Sequence, residues 1–148
     1  MNTLKRKFDD DALDAALVGG RILLALIFVV SGYGKIGSFE STAATMAAAG
    51  IPMPTVALVL TILVELGGGL MLITGWNARI AAAAIFAFLI PVTLLFHNFW
   101  DMSPAQYRGQ LTQFLKNLCI MGGMLYIALF GPGRFSMDAW LGAPARAG

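Results

Sequence analysis

Glu65 stands near the centre of an apolar run, residues 55–75, that reads TVALVLTILVELGGGLMLITG, with about ten residues, or ~15 Å of helix, on either side. A carboxylate at the middle of a bilayer-length span is costly to keep charged, so it must be protonated, paired, or turned into a polar cavity inside a helix bundle. On an α-helix it shares a face with Leu58, Thr61, Ile62, Gly68, Gly69 and Leu72. That face is small enough for close helix contact, which points Glu65 at other helices and not at lipid. Lys35, His97 and Lys116, each near the end of another apolar run, are its candidate partners.

A second polar focus follows Pro91. Thr93, His97 and Asp101 are spaced i, i+4, i+8 and share a face if the helix continues, with Asn98 and Trp100 beside them. Gln113, Lys116 and Asn117 open the next apolar run. In an antiparallel bundle the ends carrying Lys35, His97 and Lys116 lie at one level, above Glu65. The spacing therefore predicts a funnel lined by Lys35, His97, Asn98, Trp100, Lys116 and Asn117, with Glu65 at its floor and Tyr33 and Phe96 nearby. Apolar walls with a few convergent polar groups suit a quinone headgroup or another small amphiphile. The alternative is that Glu65 only bonds a neighbouring helix, while the cations and tryptophans fix the depth of the bundle.

Other chemistries lack the residues they need. Cys119 is the only cysteine and His97 the only histidine, which excludes an intramolecular disulfide, a CxxC pair, a four-cysteine cluster and a two-histidine haem. No cofactor is intrinsic and no metal site is expected. Cys119, in an apolar helix, reads as an inert small hydrophobe. Residues 32–37, GYGKIG, match GxGxxG letter for letter, but they close a hydrophobic helix, whereas a dinucleotide fingerprint follows a strand and opens one. The net charge of +2 comes from scattered residues without a basic, aromatic-interleaved stripe, so nucleic-acid binding is not supported.

The elements that must position these groups follow from composition and hydropathy. Of 148 residues, 58% are hydrophobic and 12% charged, and the mean hydropathy is +0.76. Such a chain reads as an integral membrane protein of the all-α class, a bundle of four transmembrane helices in one domain. Residues 1–17 form a polar leader, mobile or at the membrane surface, 18–130 the membrane domain, and 131–148 a short tail. The spans fall at about 18–36, 55–75, 79–99 with a kink at Pro91, and 111–130. In the first, Arg21, Leu24, Phe28, Ser31 and Lys35 form one stripe, whose cationic ends either anchor at the interfaces or enter a polar pocket. Residues 38–49 predict a short interfacial helix between the first two spans, a lid or collar outside the bundle. Residues 75–77 make a tight turn, and 103–110 a polar loop.

Lys5, Arg6, Lys7, Arg21, Arg79, Arg134 and Arg146 fall at the end that holds both termini, against Lys35, Arg108 and Lys116 at the other. The positive-inside rule then places both termini in the cytoplasm.

Taken together, Arg21, the Ser31-Gly32-Tyr33-Gly34-Lys35 segment, Glu65-Leu66-Gly67-Gly68, His97-Asn98-Phe99-Trp100-Asp101, Lys116-Asn117, and residues 131–138 (GPGRFSMD) resemble the DoxX family of small bacterial membrane proteins. The resemblance covers nearly the whole chain past residue 18. It implies a four-helix protein of the bacterial inner membrane and, for some members, association with sulfur or oxidative-stress enzymes, including a thiosulfate:quinone oxidoreductase subunit. Arg21, Lys35, Glu65, His97, Lys116 and Asn117 match family residues. The leading expectation is a membrane subunit that binds quinone or a similar lipid and works with a soluble or membrane oxidoreductase partner. A non-catalytic scaffold, a small proton-coupled carrier, and self-association into a homo-oligomer are the other readings. A broken second helix would favour the carrier, yet that span contains no proline.

Overall fold

A computed structural model describes residues 3–142, with side chains from residue 11 onward. Helix α1 covers Thr3–Gly37, α2 Phe39–Ala48, α3 Pro54–Ile62, α4 Gly68–Thr74, α5 Ala78–Phe96, α6 Pro104–Phe130 and α7 Met137–Trp140. Four segments are long and apolar enough to cross a membrane: Asp11–Gly37, Pro54–Thr74, Ala78–Asp101 and Pro104–Phe130. The protein is therefore an all-α bundle of four membrane-spanning helices.

The core follows the helical period. On α5, Ala78, Ala81, Ala82, Ile85 and Leu89 are buried, and the alanines allow α4 and α6 to approach closely. Leu72 from α4, Ala25 and Phe28 from α1, and Ile120 and Met124 from α6 complete that core. The outward residues, such as Leu23, Ile80, Leu94 and Leu129, are large and exposed, as a lipid-facing surface requires.

Several boundaries differ from those expected. The leader is not a separate segment, because α1 begins at Thr3 and runs unbroken into the span. Its Asp14 is buried against Arg134, with Nε to Oδ2 at 2.6 Å. The loop expected at 103–110 is instead the opening of α6, which starts at Pro104 in the N-terminal position that proline tolerates. Pro91 lies inside α5 without ending it; the helix stops at Phe96, three residues short of the expected end, and Phe99–Asp101 forms a 3-10 turn. Arg146, used in the charge count, lies outside the described residues.

The second span carries the largest departure from regular geometry. Between α3 and α4, Leu63–Gly67 forms a π-helical turn with Glu65 at its centre. No proline is needed for it. Such turns widen the helix by one residue and occur mostly as single insertions in α-helices, often at functional sites.

The end of the bundle where α4 turns into α5 is closed by the segment after α6. Arg21, 4% exposed, donates to the carbonyls of Pro132, Phe135 (3.0 Å) and Ile73 (3.4 Å). Asp138 accepts from the backbone N–H groups of Asn77 (2.7 Å) and Ala78 (3.2 Å), so a carboxylate more than two turns past α6 caps the start of α5. Arg79 in turn donates to the carbonyls of Ala128 and Leu129 at the end of α6. Arg21 thus holds the tail in place, and residues 131–140 are docked on the bundle.

Candidate functional site

Lys35 and Glu65 form an ion pair across α1 and the π turn. The Lys35 ammonium donates to Glu65 Oε1 (3.0 Å) and Oε2 (2.8 Å) and to Ser31 Oγ (2.6 Å), one turn back on its own helix. The side chains are 23% and 9% exposed. All three ammonium donors are used and both carboxylate oxygens accept, so neither charge is left unpaired.

Glycine at position 32 makes this approach feasible. A Cβ there would come within 2.8 Å of the Leu66 backbone nitrogen and 3.2 Å of Glu65 Cβ. In the GYGKIG segment it is therefore Gly32 that serves helix contact, buried against the π turn, while Gly34 has open space around it. Lower down, Gly69 meets Val29 in the same manner.

The ion pair stands between two cavities. The larger, about 330 Å³, is walled by Thr42, Thr45 and Met46 of α2, Thr61 of α3, and Phe88, Leu95 and Phe96 of α5. The smaller, about 170 Å³, is lined by Ser31 of α1, Leu89 of α5, and Lys116, Asn117 and Ile120 of α6. Lys35, Glu65, Phe88, Val92 and His97 border both. A part-buried charge pair with an imidazole on the walls of the same two cavities is an arrangement able to hold a polar headgroup and to exchange a proton with it.

His97 occupies the C-cap of α5, and its Nδ1 lies 2.9 Å from Gln110 Oε1. Gln110 was assigned to a loop by its polar surroundings, so nothing local marked it; the early start of α6 brings it to the ring. Asn117 donates through Nδ2 to Thr93 Oγ1 at 3.0 Å, a buried bond joining α5 and α6. Lys116 borders the smaller cavity and donates to Gln113 on its own helix.

Two expected members are elsewhere. Because α5 stops before His97, Asp101 leaves the face of Thr93 and His97, and Asn98, turned from the cavities, donates to it, Nδ2 to Oδ2 at 3.1 Å. Trp100, 53% exposed, packs edge-on against Phe99 and Phe114 and borders neither cavity. Tyr33 is likewise exposed. In their place α2, expected outside the bundle, contributes Thr42, Thr45 and a buried Met46 to the larger cavity. Among the described residues no three His, Cys, Asp or Glu side chains gather as a metal site.

Comparison with known proteins places these residues in a family. The DoxX family model matches residues 16–98, a stretch that contains Lys35, Glu65 and His97. Inner membrane protein YphA of Escherichia coli (strain K12) is 32% identical over 139 residues, covering 93% of this chain and 99% of that protein. Inner membrane protein YqjF of the same organism is 37% identical over 128 residues, covering 86% and 93%. A Surfeit locus protein 4 homolog of Schizosaccharomyces pombe is 33% identical over 70 residues, 46% of this chain and 23% of its own length. No solved structure matches at a significant level. The full-length similarity to two four-helix-sized relatives, together with the family match across the first three spans, makes this chain a member of the DoxX family.

Proposed function

We propose that the protein is a multi-pass inner-membrane subunit that binds a quinone headgroup in the larger cavity and serves an oxidoreductase partner. The observation that carries this reading is the Lys35–Glu65 pair, whose carboxylate is buried at a π turn, bordering an apolar-walled cavity of about 330 Å³ with His97 at its edge. That volume falls within the range of small-molecule sites, and the mixture of apolar walls with few polar groups is typical of them. A quinone ring would pack against Phe88, Leu95 and Phe96, while its carbonyl oxygens need donors, which Thr61 can supply and His97 can supply through Nε2 when the ring, whose Nδ1–H is given to Gln110, takes up a second proton. Single Cys and His residues leave the chain without an electron-transfer centre of its own making, so electrons would pass to or from the partner. Relatives named as inner membrane proteins support the location.

The test is purification of the intact protein in mild detergent, with mass spectrometry of the lipids and proteins that accompany it. An isoprenoid quinone in near-stoichiometric amount, together with an oxidoreductase, is the expected result. Quinone no more abundant than in an unrelated four-helix membrane protein prepared alongside would remove the proposal.

A second reading, a small proton-coupled carrier, is favoured by one specific feature: the π turn interrupts the second span at its only carboxylate, with cavities on both sides. Both readings share the orientation inferred from the distribution of Lys and Arg, with the termini in the cytoplasm and Lys35 and Lys116 toward the outer side. Reporter fusions after Gly148 and within residues 103–110 should mark opposite faces of the membrane. A signal from the same face in both would overturn that topology.

A further inference from the structure

At the end of the bundle remote from the Lys35–Glu65 pair, a cavity of about 380 Å³ lies between the start of α5 and the docked segment after α6. Arg79 borders it with an unused edge. The guanidinium donates through Nη1 to the carbonyls of Ala128 and Leu129, while among the described residues nothing bonds its Nε or Nη2. Those two nitrogens face Gly131, where a Cβ would come within 3.0 to 3.1 Å of them. Glycine at this position, in a left-handed backbone conformation (φ 87°), keeps the planar edge clear. Two parallel N–H groups on one plane match the oxygens of a phosphate in bidentate fashion, which a lysine cannot do.

The surroundings narrow the ligand further. Arg134 lines the same cavity while pairing with Asp14 and Asp11. Asp138 is the carboxylate at the wall, and its two oxygens are turned onto the N–H groups at the start of α5, where the helix dipole offsets its charge. Ile80 and Phe130, 66% and 75% exposed, flank the opening and offer apolar surface of the kind acyl chains cover. We propose that this cavity holds the phosphate of an anionic phospholipid, with the Nε/Nη2 edge of Arg79 as the bidentate donor. The orientation proposed above turns it toward the cytoplasmic leaflet, whose anionic lipids attract such sites. The site stands independently of any ligand at the Lys35–Glu65 pair.

The experiment uses delipidated full-length protein in mild detergent, titrated separately with phosphatidylglycerol, phosphatidylcholine and inorganic phosphate while Tm is followed. Phosphatidylglycerol should raise Tm and phosphatidylcholine should not. Arg79→Lys, which keeps the charge and a donor for the α6 carbonyls, should raise the half-saturating concentration of phosphatidylglycerol about tenfold, the loss expected for a charge-assisted bond. An equal response to inorganic phosphate would keep the anion site and assign it to soluble phosphate. Equal responses to both lipids, or an Arg79→Lys response identical to wild type, would overturn it.

Discussion

Lys35→Met is expected to destabilise the detergent-solubilised bundle by ~3 kcal/mol, because it strands the Glu65 carboxylate in the interior. Glu65 is the more buried partner, at 9% exposure, and with the ammonium gone no other group among the described residues is bonded to its oxygens. The molecule then has to protonate Glu65, admit water, or open the contact between α1 and the π turn. The decisive measurement is the double variant. Lys35→Met with Glu65→Leu removes both charges and replaces them with side chains that the apolar surroundings accept, so stability should return to within ~1 kcal/mol of wild type. Thermal or denaturant unfolding of the four proteins in one detergent gives the cycle directly. A double variant as unstable as Lys35→Met alone would mean that the two residues are not coupled in the folded bundle.

The parts of this site that depend on helical period were legible in the sequence. Glu65 faces the interior with Leu58, Thr61, Gly68, Gly69 and Leu72, all buried, and with Ile62, half-buried, because those positions recur on one side of a helix. The four spans were legible for the same reason, since twenty apolar residues have few other places to go. Which of the three candidate partners would meet Glu65 was not. Lys35 is selected by the close approach that Gly32 permits, and spacing along one chain says nothing about how two helices pack. The π turn left no signal either, because no proline or insertion marks it.

Caps and long-range clamps were the remaining blind spots. The stop of α5 before His97 separates Asn98, Trp100 and Asp101 from the site, and a continuing helix had been needed to keep Asp101 on the same face. The bonds that dock the tail join residues far apart in sequence, Arg21 to Phe135 and Asn77 to Asp138. Hydropathy reads such polar residues as interface markers, whereas the structure employs them to satisfy backbone groups at helix ends. One consequence concerns function: with Arg21 engaged at the far end, the polar groups left near the membrane interior are those around Glu65 and His97.

Glu65→Gln and His97→Ala are expected to leave the bundle folded while lowering retention of bound quinone about tenfold, the first by removing the charge that holds the Lys35 ammonium at the cavity and the second by removing a polar group of its wall. Glutamine preserves the size of Glu65 and an acceptor for Lys35, but it cannot ionise, so the change isolates charge and proton exchange from packing. His97→Ala deletes the ring bordering both cavities and frees Gln110, which lies near the start of α6, without disturbing the core. Asn98→Ala and Trp100→Phe serve as controls of similar location, since neither residue lines a cavity, and both should retain ligand as wild type does. A scaffold in which the ion pair is only helix glue predicts a different pattern: Gln nearly neutral in every readout, with interhelical hydrogen bonds contributing well under ~2 kcal/mol. Wild-type levels of bound quinone, partner association and activity in both Glu65→Gln and His97→Ala would therefore sink the functional pocket and leave the structural role standing. Loss in those two alone, with the controls intact, would tie the chemistry to the space around the Lys35–Glu65 pair.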